Sequence, residues 1–158
     1  MPTSNKPWEP VLLVLQVVQV VFLWLHDWVP MGRLNDLAGV RSQITRPQLI
    51  IGTLISSIPW TLGLIFSAYY FCKQWPAWVT GWLWISYAFL FIGELEAWWV
   101  PYLIWEQPKR VARYQAMFGN THAFLPKRNG MVPNTVHCLL HLATFATLVT
   151  LFVRSHAV

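Results

Sequence analysis

The chain reads as an all-α integral membrane protein: a bundle of four transmembrane helices with a short interfacial amphipathic helix in its third loop. Three observations predict this. Of 158 residues, 56% are hydrophobic and only 11% charged, where a soluble domain carries roughly a quarter charged residues. Four apolar stretches, 11–29, 49–71, 78–104 and 136–153, can each cross about 30 Å of hydrocarbon at about 1.5 Å per helical residue. None has the alternation of a barrel strand, and a backbone in lipid must satisfy its own polar groups, which leaves helices. The same composition, with 16% aromatic residues and two Cys, excludes a disordered chain and a disulfide scaffold. Residues 1–158 are expected to form one polytopic domain.

The first span is expected to remain as an anchor. It is long for a signal-peptide core and ends in His26-Asp27-Trp28-Val29-Pro30, without a small-residue cleavage site. In the second, Gly52, Ser56, Gly63 and Ser67 form a small-residue stripe suited to close helix approach, and Pro59 predicts a kink. The third holds the two intramembrane glutamates. The loop 105–135 has room for structure: Pro108 suits a first helical position and Gly119 a position just past the end. Between them Lys109, Arg110 and Arg113 share one arc while Val111, Tyr114 and Phe118 share the opposite one, as in a helix lying in the interface. Turn-rich Gly119-Asn120-Thr121-His122 and Pro126-Lys127-Arg128-Asn129-Gly130 follow, before Asn134 or Thr135 caps the fourth span.

Orientation follows from the basic residues of the short connections. Arg33, Arg41 and Arg46 in the first loop and Lys109, Arg110, Arg113, Lys127 and Arg128 in the third outnumber Lys6, Lys73 and Arg154 on the other side. Loops 1 and 3 are therefore expected in the cytoplasm and both termini outside it. The sequence pI of 9.6 then reflects loops facing lipid headgroups; no nucleic-acid partner is expected.

Asp27, Glu94 and Glu96 are the acidic residues inside the expected spans, joined by His26, His137 and His141. Ionisable groups in a membrane are costly, which makes them functional candidates. The topology puts all six in one leaflet. His137 and His141, four apart, share a helix face, whereas Glu94 and Glu96 point about 200° apart, so one glutamate faces the bundle centre. By depth Glu96 is the better match to His141, with Glu94 in another groove or the two roles exchanged. Gln16, Gln19, Leu23 and His26 or Asp27 make a polar seam on the first span.

A buried carboxyl with an imidazole partner can hold or hand over a proton near neutral pH, which makes Glu94, Glu96, His137 and His141 the candidate catalytic residues. Tyr87, Trp98 and Trp99, with His26 and Asp27, are the candidate ligand-binding residues, because aromatic faces beside a carboxylate suit an amine or a cationic intermediate. The same aromatics also fit interfacial belts. No cofactor is expected in the leading reading. A metal would use His137, His141 and Glu96, and a haem two histidines of the first and fourth spans. The sequence has no His-Glu-x-x-His, since Cys138 follows His137. Cys72 and Cys138 fall at opposite membrane faces, which disfavours thiol redox chemistry. Ser56, Ser57 and Ser67 have no histidine in their span and are expected to bond their own backbone.

The layout, with His26-Asp27 closing the first span, Glu94 and Glu96 inside the third and an aromatic-rich interior, resembles in architecture the emopamil-binding and sigma-2 receptor group, which includes sterol isomerases. Resemblance of layout carries no site residue over. Three classes follow from the residues. One is an enzyme doing acid/base, isomerase- or cyclase-like chemistry on a lipophilic molecule from the membrane lipid. Another is a transporter or binding protein for a cation, amine or metal, which with four spans would need a homodimer. The third is a structural subunit whose polar residues pair with one another.

Overall fold

The computed structural model describes residues 7–156, so Lys6, counted above for orientation, lies outside them. Four long helices are apolar enough to cross a membrane: α1 (Trp8–Leu25), α3 (Arg46–Tyr69), a third running from α4 (Ala77–Glu94) through one π-helical turn (Leu95–Trp99) into α5 (Val100–Leu103), and α7 (Thr135–His156). Two short helices lie in the loops, α2 (Leu37–Gln43) and α6 (Pro108–Phe118). This is a multi-pass, all-helical membrane bundle. The expected loop helix is α6; α2 was not expected.

The helix ends have local causes. Asn134 caps α7, its Oδ1 accepting from the His137 amide at 3.0 Å. At the start of α3 the Gln48 Oε1 accepts from the Thr45 amide at 3.0 Å, and Pro47 sits where no amide is needed. Asp36 starts α2 by accepting from the Gly39 amide at 2.8 Å. The first span stops at Leu25 rather than running to Val29, because the Trp28 and Val29 amides both fold back onto the Leu25 carbonyl.

α1 packs on α3 and α7, and α4 packs on the same two, so the spans form a closed four-membered ring with α1 and α4 on one diagonal. Loops 1 and 3 meet at one end, where α2 packs on α6; the start of α1 and the end of α7 are at the other. The outside is more apolar than the inside: Val14, Ile55, Ile85, Phe89 and Leu142 are exposed, while Gln16, Gln19, Ser57, Glu94, Thr144 and Thr147 are buried. In lipid, burial of apolar groups gives little driving force, and packing plus interhelical hydrogen bonds of about 0.6 kcal/mol each hold helices together. Two such bonds tie α1 and the turn that follows it to α3, from the Trp24 and Trp28 indoles to Thr61 and Thr53, at 3.0 and 2.9 Å.

The small-residue stripe of α3 is only half used. Gly63 and Ser67 are buried, but Gly52 has open space where a Cβ would stand, and Thr53 and Ser57 take the inward face instead. Gly52 and Ser56 lie toward the edge of that face, where no neighbouring backbone comes close to Gly52. Toward the terminus end the interior is filled by Leu12, Val79, Leu83 and Leu151, sealed by Trp8 and Trp75.

Candidate functional site

The π turn at Leu95–Trp99 shapes the loop end. Pro101 has no amide to give the Ala97 carbonyl, and its ring crowds that carbonyl, so the helix widens by one residue just before it. Trp98 and Trp99 are thereby splayed toward two different surroundings. The Trp98 ring lies 4.4 Å from the His137 ring, and the Trp99 indole donates to His141 Nδ1 at 2.9 Å.

Hydrogen-bond chemistry assigns the tautomers. An indole N–H only donates, so His141 Nδ1 is the acceptor and its proton is on Nε2. His137 is reversed. Its Nδ1 is 2.7 Å from the Asn134 Oδ1; an amide oxygen only accepts, so Nδ1 carries the proton and Nε2 the lone pair. The His26 Nδ1 donates to the Phe22 carbonyl at 3.0 Å, which turns Nε2 toward Asp27 Oδ2, 3.2 Å away. The three rings stand in sequence, 6.0 Å from His26 to His137 and 6.1 Å from His137 to His141.

The glutamates take the exchanged arrangement. Glu94 faces the bundle interior and Glu96 is exposed, so the Glu96–His141 contact favoured by depth does not form. What Glu96 contributes is its main-chain carbonyl, which accepts from Arg110. Facing was decided by the inward set of α4, Val79, Leu83 and Tyr87, whose spacing of four, four and then seven ends on Glu94. Thr144 Oγ1 lies 2.8 Å from Glu94 Oε1, 3.2 Å from Gln19 Oε1 and 3.1 Å from the Leu140 carbonyl. One hydroxyl proton cannot serve three acceptors; a proton on Glu94 Oε1 would satisfy one of the three contacts and leave the Thr144 hydroxyl shared between Gln19 Oε1 and the Leu140 carbonyl. Gln19 extends the network by donating to Thr147 at 2.8 Å. Tyr87 is fully buried in the same interior, away from the histidine rings, its hydroxyl neighbouring Gln16.

Two cavities flank this cluster. A cleft of about 350 Å3 opens between α4 and α7, walled by Phe91, Leu95, Trp99, His141 and Phe145 and roofed by Phe124 and Leu125. Its mouth is on the lipid-facing surface, where Leu142 and Phe145 are 61% and 50% exposed. His141 is its imidazole wall; the other lining side chains are hydrocarbon, aromatic ring or the Cys138 thiol. A second cavity of about 460 Å3 sits in the third loop on a floor of Trp98, Tyr114 and Phe118, with Lys127, Gln115 and Asn120 among its lining residues. Burial pushes the Tyr114 phenol above its usual value, against the pull of Arg110 and Arg113, so the floor stays uncharged.

Of the residues singled out from sequence, His26, Asp27, His137, His141, Trp98 and Trp99 come together at the loop end, Glu94 and Tyr87 lie deeper in the bundle, and Glu96 faces away. The His137, His141 and Glu96 metal set is therefore not assembled, and no group of three His, Cys, Asp or Glu side chains is placed to hold a metal ion among the described residues. Sequence reasoning missed Thr144 and the cleft walls Phe91, Leu95 and Phe145. Thr144, three residues after His141 on one face, was the available signal. Searches against protein-family models, curated proteins and solved structures return no match to this chain.

Proposed function

We propose that this protein is a membrane enzyme that moves a proton to or from a lipophilic molecule entering from the bilayer, with the loops on the cytoplasmic side. The observation that carries the reading is the apolar cleft open to lipid with one imidazole in its wall, fixed by Trp99 so that Nε2–H is the donor. Pockets of this kind, apolar with few convergent polar groups, are where ligands sit. His141 touches the substrate and hydrogen-bonds the reacting oxygen through Nε2–H, keeping that proton, because Nδ1 is occupied by the Trp99 indole N–H and loss of the Nε2 proton would leave an imidazolate. Glu94 acts from behind, one helical turn along α7 through Thr144, as a held proton rather than a contact group. The apolar layer of Leu12, Val79, Leu83 and Leu151 on the terminus side supports conversion in place over passage through the bundle.

The test compares total lipid extracts by mass spectrometry from cells expressing the wild type, His141→Gln or Glu94→Gln at matched membrane levels. The expected result is one lipid species that changes with the wild type, is unchanged with His141→Gln and changes weakly with Glu94→Gln. Extracts identical in all three would overturn the reading.

A further inference from the structure

The two cavities share a wall. Residues 121–127 cross between them as a non-helical strap, with Ala123 and Lys127 on the loop cavity and Phe124 and Leu125 on the lipid-facing cleft. The strap is held at both ends. His122 donates its amide to the Arg33 carbonyl at 2.6 Å, and the Pro126 carbonyl accepts from Tyr102 at 2.9 Å. Beneath it the π turn sends Trp98 to one cavity and Trp99 to the other, and Trp98 stands only 6.4 Å from His141, ring to ring. One cavity is apolar and opens to lipid; the other has an aromatic floor, carboxamides and an ammonium group.

We propose that the two cavities take the two ends of one molecule, a single-chain amphiphile with an anionic head, phosphate or carboxylate. The head lies in the loop cavity against Lys127 and the chain passes the strap into the cleft beside His141. The inference rests on the reading of the cleft as a lipophilic substrate site and names the class of substrate. Charge supports the anionic head. The segment from Trp105 to Pro133 holds Lys109, Arg110, Arg113, Lys127 and Arg128 against Glu106 alone, and among the described residues the one ion-pair contact is His26 with Asp27, so none of these cations is paired with a carboxylate; the carboxylates nearest the loop cavity are Asp36, which accepts from Asn120 at 3.0 Å, and Glu106, beside Gly130. An anion offered to Lys127 gains a charge-assisted bond without displacing an existing one.

The test uses the purified full-length protein in phosphatidylcholine nanodiscs with three photoreactive probes of one chain length, each with a diazirine near the chain end: an alkyl phosphate, an alkyl carboxylate and the neutral alkanol. The anionic probes are expected to label Phe91, Phe145 or Leu142 and to bind more tightly than the alkanol. Lys127→Ala should weaken anionic binding about tenfold, the scale of one charge-assisted hydrogen bond, and leave the alkanol unchanged. A preference for phosphate over carboxylate would point to a lipid phosphate as the natural head, the reverse to a fatty acid. If the alkanol labels the cleft but the anionic probes bind no more tightly, or Lys127→Ala changes nothing, the anionic head is refuted and the cleft stands. If no probe labels the cleft, the lipophilic site falls with it.

Discussion

The two ends of the bundle hold similar chemical stock and use it in opposite ways. At the terminus end the Arg154 guanidinium lies 4.9 Å from the Trp75 ring and 5.2 Å from the Trp8 ring and donates to Thr80 at 2.6 Å. Glu9, buried beside it, accepts from the Cys72 amide at 2.8 Å, bracing a turn whose φ of 57° is one that side chains rarely adopt. Charge, ring and backbone lock α1, α4 and α7 together over an apolar layer. At the loop end the tryptophans hold imidazoles, the imidazoles hold one another's neighbourhood, and two cavities open on either side. A tryptophan beside a guanidinium fastens in the first setting, and a tryptophan beside an imidazole positions in the second; what separates them is whether space is left for a further molecule.

Substitutions at the two ends should therefore differ in kind. The largest loss of stability is expected for Glu9→Ala. It removes the acceptor of the strained Cys72 turn and the nearest carboxylate to Arg154, and should cost about 2 kcal/mol in thermal unfolding in mild detergent, the scale of a hydrogen bond to a charged group. The lipid change attributed to His141 should survive in whatever protein remains folded. Gly39→Ala comes next: its Cβ would stand 2.7 and 2.8 Å from the Ala116 and Met117 carbonyl oxygens, an overlap expected to cost about 1 kcal/mol, the lower end of the overpacking scale, because a loop helix can shift to relieve it. Here the loss falls on the docking of α2 against α6, read as faster proteolysis of both loops with the spans intact. The same docking should weaken in acid. The Gly39 amide and the Asn120 carboxamide hold the Asp36 carboxyl below its ordinary value, so its contribution is present above the unfolded value and lost as pH falls through the folded one.

Effects on stability that are no larger, and effects on chemistry that are larger, are expected at the histidines. Trp99→Phe keeps the ring and deletes the donor to His141 Nδ1, costing about 1 kcal/mol while freeing the imidazole to change tautomer; the lipid change should fall well below wild type at near-normal melting temperature. Glu96→Gln, on an exposed side chain, should lie within about 0.5 kcal/mol of wild type and leave the lipid change intact. A strong effect of Glu96→Gln beside a silent Glu94→Gln would reverse the assignment of the inward glutamate.

Sequence carried the spans and α6 because their signals are long and periodic: a polar interruption is costly in hydrocarbon, and Pro108 and the cationic arc of Lys109, Arg110 and Arg113 mark an interfacial helix. It did not carry α2, seven residues with little apolar periodicity that are helical because Asp36 caps them and Gly39 lets α6 approach. Angular separation showed that only one of Glu94 and Glu96 could face inward, but depth alone pointed to the wrong one. Facing is set by the whole inward row from Val79 to Tyr87, which a count of rise along one helix does not include. The three histidines were expected in one leaflet; their rings stand in sequence at the loop end, 6.0 and 6.1 Å apart. The cleft was out of reach, because Phe124 and Leu125 reach it from a loop and Trp99 is turned toward it by a π turn that no local spacing reports.

The account depends most directly on His141 being held as an Nε2–H donor at the wall of a ligand cleft. Nitrogen-15 NMR of histidine-labelled protein in nanodiscs, titrated with a long-chain methyl ketone, tests this with His156 at the opposite end as the internal reference. The account predicts His141 as the Nε2–H tautomer before titration, a shift of its Nε2 signal as the carbonyl binds, and no change at His156. A His141 that is protonated on Nδ1, or that shifts no more than His156, would contradict it.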